Sequence, residues 1–545
     1  MQKTEFNLLD EPWILTTGLG GDAKTLSLVD VFARAHELKA LSGEIATQDA
    51  AVLRLLLAVL YAVHTRVDEN GAPLRPGYEP IALWKRIWDK GRFDMGIIGG
   101  YLEKYHGRFW LFHPERPFWQ VVFGADQPPV NRDGITLRPT AINVSKFIGD
   151  IADGDKPNMF CGRGNKNSIP FSEAARWLVH LNAFDVSPAG NPGKNPKTVK
   201  GFGHPWPANI GMTWASGGSL FQTLMLNLVL AHNGDCWPEG NAWWEAAPPC
   251  TTAEGLERVE VAVPESIVEL MSMQFRYVAL RREGGSVTGF DLWSGVKFDA
   301  ENAFIEQMTS WKVAKKKDNA RFPKKHDPAK QLWRDFAALV PHGAYDESPG
   351  VVKWLAALEY SQVPLPLLQL NTAGVIYKKD TAVADVFSDS LRMSAGILAG
   401  LDRDGADGDS WSSRIIKELE TTEKMVECVG YLASNIEAAS GGEARRDASR
   451  GEAKAEAYFR LDAPFRGWLA AIDPQNDDID DTCARWSQMS YRMIMRLGEE
   501  LAARAGEHAL VGRVVKIGKN DALMASPKAF AIFKNSVNKA LKNAG

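Results

Sequence analysis

Five stretches of this 545-residue chain carry side chains that could do chemistry or hold a ligand. Asn371, Thr372, Ala373 and Gly374 lie between two apolar runs, and the second run ends in the basic pair Lys378-Lys379. Asn and Gly accept left-handed backbone angles, and small side chains let a ligand approach the main chain, so the spacing predicts a tight turn. Taken alone, it reads as an ordinary inter-strand turn. Cys161 to Asn167 sets glycines beside Arg163 and Lys166, and backbone N–H groups in such a loop can cradle phosphate. The spacing is not that of a nucleotide phosphate loop, and a mobile surface loop is the plainer reading. Between Lys312 and Lys330, eight basic residues face two acidic ones, a local charge near +6 that could meet phosphates. Lys315, Lys316, Lys317, Lys324 and Lys325 are its candidate contacts, and Lys534, Lys539 and Lys542 on the last predicted helix form a second set. Finally, His326-Asp327 has the dipeptide of HD-type phosphohydrolases, and Asp402, Asp404, Asp407 and Asp409 cluster around two glycines.

These last two fall short of a catalytic centre. The HD chemistry needs further histidines on neighbouring helices. The acidic cluster places Ala406 where a calcium loop needs an oxygen ligand. There is no H-E-x-x-H, G-x-S-x-G or dinucleotide glycine pattern. Five scattered cysteines form no C-x-x-C pair, which argues against a disulfide framework and a structural zinc site. The net charge of −4 gives no general attraction to nucleic acid, so any such contact is local. No metal or cofactor is expected.

The elements that must position these residues divide the chain. By length it could hold about three to five domains. Ser27–Leu41 reads as a helix, and Thr47 as the cap of an apolar, buried helix carrying Leu55, Leu56, Leu57, Val59, Leu60 and Val63. His113–Gln120, with two prolines around a charged pair, reads as a rigid turn. Ser219–His232 reads as a helix, about Val259 to Phe298 as strand-rich, and Ser348-Pro349 as the start of a helix over 350–359. Beyond Thr381 the pattern predicts helices at 382–399, 412–439, 452–472, 478–504 and 527–542, with a mobile linker at 440–451. The pattern is thus a mixed region of helices and strands over 1–380 followed by a C-terminal helical bundle over 381–545. No uninterrupted apolar run reaches the roughly 18 residues of a membrane span, and the N-terminus lacks a secretory apolar core, so a cytoplasmic location is expected.

Several segments together resemble the CasA family, the large subunit of the type I-E CRISPR Cascade surveillance complex. They are Phe6–Ile14 (FNLLDEPWI), Ala46–Ala62 (ATQDAAVLRLLLAVLYA), His113–Val121 (HPERPFWQV), Ser219–Val229 (SLFQTLMLNLV) after Gly211–Trp214, and the LNTAGVIYKK stretch. The resemblance spans essentially the whole chain and implies an α+β fold: a large mixed N-terminal domain, 1–380, followed by a C-terminal four-helix bundle, 381–545. It implies a non-catalytic subunit that reads the protospacer-adjacent motif (PAM) in double-stranded DNA, promotes R-loop formation, and recruits a helicase–nuclease. It implies as partners the backbone, crRNA 5′-handle-binding and small subunits of a crRNA-bound complex. It maps PAM reading onto Asn371–Gly374, with a minor-groove lysine near Lys297, and a crRNA-handle loop onto about 158–169, carrying Asn158, Phe160, Arg163, Asn165 and Lys166. Where some members place a glutamine wedge this chain has Thr372, which is shorter. The alternatives are an HD-type nucleic-acid hydrolase and a purely structural subunit.

Overall fold

The computed structural model describes residues 4–122, 140–148, 167–184, 204–232, 234–246, 260–261, 264–293, 297–298, 305–314, 320–340, 348–377, 383–398, 410–517 and 520–542. Two compact units emerge: Met1–Ala329 with Glu347–Ser390, and Lys330–Asp346 with Leu391–Gly545. The boundary therefore falls later than residue 380, and a short inner segment joins the second unit.

In the first unit, the strands Ala23–Leu26, Ile14–Gly18 and Leu38–Leu41 form a small antiparallel sheet. The helix expected over 27–41 is thereby cut short. It runs only over Leu28–Arg34, capped by the Ser27 hydroxyl, which accepts from the Asp30 N–H at 3.1 Å. Leu38–Leu41 is recruited as a strand by pairing with Thr16 to Gly18, a tertiary contact that overrides local helical periodicity. The helix Ala46–His64 follows, buried on nearly every side. Its cap position is Ile45 rather than Thr47, whose hydroxyl lies 3.0 Å from His180 Nε2. By length and composition this helix could cross a bilayer, but it is a core helix, packed among the helices Met95–Lys104, Phe171–Phe184 and Ile267–Ser272. Its one guanidinium, Arg54, is neutralised inside the unit by Glu306.

The prolines of His113–Gln120 do break regular structure, and the chain after them feeds a sheet. The Val121 N–H donates to the Val278 carbonyl at 2.8 Å, and the Gln120 side chain joins the Leu111 carbonyl to the Leu280 N–H. That sheet has strands Tyr277–Glu283, Ser286–Trp293 and Thr140–Asn143 in antiparallel order, turning at Gly284 with φ +59°. Leu220–Asn227 is helical, but the chain is extended from Ala231 to His232, so the helix expected over 219–232 is shorter.

The second unit contains the long helices Trp411–Ser440, Arg446–Ala471, Ile479–Ala503 and Ser526–Lys542, packed on one another, with a hairpin of Arg513–Ile517 and Asn520–Met524. Two expectations fail in the C-terminal part of the chain. Residues 440–451 are not an open linker: Gly441 closes the first helix at φ +92°, a 3-10 turn follows, and the next helix begins at Arg446. Residues 382–399 are not a helix but the strand Val383–Met393 and a 3-10 turn. Phe387, Leu391 and Met393 are buried while Val386, Ser388 and Arg392 are exposed, a period of two rather than 3.6. The inner segment Lys330–Asp346 docks through Trp333, which stacks on Phe465 at 4.8 Å and donates its indole N–H to Asp462 Oδ1 at 2.8 Å.

Candidate nucleic-acid interface

Asn371 to Gly374 do not form a turn. They lie inside the ten-residue strand Leu368–Tyr377, the middle strand of a sheet whose neighbours are Val383–Met393 and Met212–Ser216. The apolar runs on either side of Asn371 are one continuous strand, and its alternation places successive residues on opposite faces. Leu370 and Thr372 pair with Ala215 and Thr213 on a buried face, where Thr372 is 2% exposed. Gln369 and Asn371 pair with Ser216 and Trp214 on the opposite face, and all four are half-buried. Along that same face Ala373 and Met212 are buried, so accessibility ends at Asn371.

Asn371 is held by its neighbours. Its Nδ2 donates to Ser216 Oγ at 2.8 Å and to the Gln369 carbonyl at 3.1 Å, while its Oδ1 accepts from Gln369 Nε2 at 2.9 Å. Gly374 has a packing role: a Cβ there would lie 2.7 Å from the Phe387 ring on the adjacent strand. The outer edge of Met212–Ser216 is closed by two devices. The Thr213 N–H donates to the Met308 carbonyl at 2.9 Å. Asn227 imitates a one-residue strand, its Oδ1 accepting from the Ala215 N–H at 2.9 Å and its Nδ2 donating to the Ala215 carbonyl at 2.7 Å.

The basic candidates separate. Lys324 ends the strand Ala320–Lys324, opposite Ser310, and is half-buried. Lys325 is turned inward: its ammonium donates to the Ala208 carbonyl and, at 3.1 Å, to the Val375 carbonyl, and lies 5.4 Å from the Tyr377 ring centre. Burial pushes its pKa down to about 8. It braces the far end of the Asn371 strand and is not a surface charge. Lys534, Lys539 and Lys542 are exposed on the last helix and pair with no carboxylate among the described residues. Lys297 lies in the two-residue strand Lys297–Phe298, beside Glu260. Its side chain is outside the described residues, as are Lys315, Lys316, Lys317, Asn158, Phe160, Arg163, Asn165, Lys166 and the acidic cluster at 402–409.

Among the described residues, His326-Asp327 is not joined by further metal-ligating side chains. The Asp327 carboxylate accepts from the Ala329 N–H at 3.0 Å in a local turn, and His326 is 8% exposed, edge-on to Phe387. Among the described residues no group of three His, Cys, Asp or Glu side chains could hold a metal.

Sequence reasoning missed Trp214, Ser216 and Gln369. The signal was present in the alternation of Leu368, Leu370 and Thr372 with Gln369 and Asn371. Asn227 and Glu306 left no signal, because their partners, Ala215 and Arg54, lie outside the local pattern of each.

Residues 7–497 match the model of the CRISPR-associated protein Cse1 family. A CasA/Cse1 protein of Thermus thermophilus is 29% identical over 344 residues, 62% of this chain and 60% of that protein's own length. The crystal structure of Thermobifida fusca Cse1 superposes with a TM-score of 0.79 at 29% identity, covering 98% of both chains. A chain of a CRISPR RNA-guided surveillance complex shares the fold at a TM-score of 0.64 and 16% identity, over 99% of this chain and 100% of that one. With nearly its whole length matched, the chain belongs to the CRISPR-associated Cse1 family, the CasA family that its sequence resembles.

Proposed function

We propose that this chain is the non-catalytic, cytoplasmic DNA-binding subunit of an RNA-guided CRISPR surveillance complex. In this reading it recognises the PAM of double-stranded target DNA through the minor groove. It then promotes R-loop formation and helps recruit the helicase–nuclease, while the crRNA-carrying subunits are its partners. The observation that carries the reading is the half-exposed face on which Asn371 and Gln369 stand side by side. The minor groove offers A N3 and T O2 acceptors and the guanine N2 donor. A side-chain amide both donates and accepts, so it suits that groove and tolerates several sequences. Asn371 already spends its amide within the protein. Contact with a base edge therefore exchanges hydrogen bonds rather than adding them, which favours modest affinity. Modest contacts suffice, because replacing the DNA duplex by the RNA–DNA heteroduplex is close to balanced. Lys534, Lys539, Lys542 and the Lys315–Lys317 run supply phosphate attraction in this scheme.

The test is duplex binding by the assembled complex with this subunit wild type, absent, or carrying Asn371→Ala, on targets with an intact or scrambled PAM. Loss of discrimination with assembly intact is the expected result. Retained discrimination would make the subunit structural at this site, and metal-dependent turnover abolished by His326→Ala would make it a hydrolase.

A further inference from the structure

Trp214 stands directly across the ladder from Asn371, on the same half-exposed face. Several tryptophans of the same unit are spent on internal contacts. Trp206 donates its indole N–H to Glu306, Trp237 to the Val229 carbonyl, and Trp84 to the Met225 carbonyl while its ring stacks on Trp88 at 4.8 Å. Among the described residues, no ring packs on Trp214 and no acceptor takes its indole N–H. The unpartnered N–H does not by itself mark a ligand site, since buried Trp354 also lacks an acceptor; what sets Trp214 apart is that its unstacked ring is half-exposed beside Asn371. The backbone beneath it is fixed. Its strand neighbours Thr213 and Ala215 are tied to Met308 and Asn227 on one edge, and its own carbonyl faces the Asn371 amide at 3.5 Å.

We infer that Trp214 is the aromatic contact of this site, stacking on a base or wedging at the base step beside the pair that Asn371 reads. This rests on the proposed PAM-reading role and names the residue that completes it. Thr372 cannot take that part, because it points into the buried face. An aromatic plane stacks on any base, so Trp214 supplies strand separation and binding energy rather than sequence preference. Side chains wedged at a base step open it from the minor-groove side, the groove proposed for Asn371.

The experiment uses the assembled complex with Trp214→Ala, Trp214→Phe and Asn371→Ala. Opening of the first target pair is followed by 2-aminopurine fluorescence on a fully paired duplex and on one with that pair mismatched. Trp214→Ala should slow opening of the paired duplex by about tenfold, with Trp214→Phe close to wild type and the mismatch restoring the rate. PAM preference should be unchanged by Trp214→Ala and lost in Asn371→Ala. Unaltered opening in Trp214→Ala, or a defect that the mismatch does not relieve, overturns the inference. If Asn371→Ala also leaves PAM preference intact, the proposed reading itself falls.

Discussion

Arg54 and Glu306 form a bidentate ion pair within the first unit, with Nη1–Oε1 at 3.1 Å and Nη2–Oε2 at 2.7 Å, both side chains no more than 4% exposed. Burial alone would push the Glu306 carboxyl up, but Arg54, the Trp206 indole and the Met308 N–H together hold it below the usual carboxylate range. The pair also has a positional consequence. Glu306 Oε1 accepts from the Met308 N–H at 2.9 Å, and the Met308 carbonyl holds Thr213, the ladder partner of Thr372. The core helix is thus joined to the Asn371 sheet by consecutive hydrogen bonds. Glu306→Gln or Arg54→Met should destabilise the protein by about 3–5 kcal/mol, because each leaves the other charge buried and unpaired. Replacing both with apolar residues should cost less. Because the folded pKa of Glu306 is depressed, its contribution is present above the unfolded value of 4.5 and is lost as pH falls through the folded one. Chemical denaturation of the isolated variants measures both effects.

Asn227→Leu tests the side chain that stands in for a strand. It would leave the Ala215 N–H and carbonyl without partners in a site with 0% exposure at Asn227 itself. At roughly 1–3 kcal/mol for each orphaned buried group, this variant should lower the melting temperature more than Asn371→Ala, whose side chain is half-exposed. Equal melting temperatures would show that the sheet edge finds other partners.

How much of this was legible from residue order depended on range. The long C-terminal helices follow from local periodicity, because each buries its own stripe, whereas the helix around Leu55–Val63 follows from a nearly continuous apolar run that is buried on almost every side. The strand Val383–Met393 was misread as a helix, since its charged and serine positions look amphipathic until the period is counted over Phe387, Leu391 and Met393. The turn expected at Asn371–Gly374 failed for a different reason. Asn and Gly are turn formers on average, but Gly374 is there to let Phe387 approach, and Asn371 to bond Ser216. Neither partner is visible from neighbouring residues, so composition favoured the wrong element.

Two buried histidines set the acid response. Burial pushes both His64 and His180 down to about 4, so each is neutral in the folded protein while its unfolded counterpart titrates near 6.5. Their contribution to stability is complete above 6.5 and falls as pH drops toward 4, at roughly 1.4 kcal/mol per pH unit for each. Asp49 opposes this. Burial raises its pKa to about 6, so the protonated acid is favoured in the fold and its contribution is lost as pH rises through that value. Urea midpoints followed from pH 7 to pH 4 should therefore decline, and Asp49→Asn should make the decline steeper below pH 6. A flat profile in both proteins would show that the histidines become charged without unfolding.

The salt dependence of DNA binding by the assembled complex separates inward from outward lysines. Lys325 spends its ammonium on the Ala208 and Val375 carbonyls, whereas Lys534, Lys539 and Lys542 are exposed. A lysine that neutralises a phosphate lowers the slope of log K against log salt by about one when removed. Lys325→Met should therefore leave the slope unchanged, and any loss of affinity should come from a loosened Asn371 strand. The triple change of Lys534, Lys539 and Lys542 to Gln should reduce the slope by up to about three without altering PAM preference, because phosphate contacts position a protein and carry no sequence information. A reduced slope in Lys325→Met would mean that its ammonium turns outward on binding DNA. An unchanged slope in the triple variant would remove the last helix from the interface.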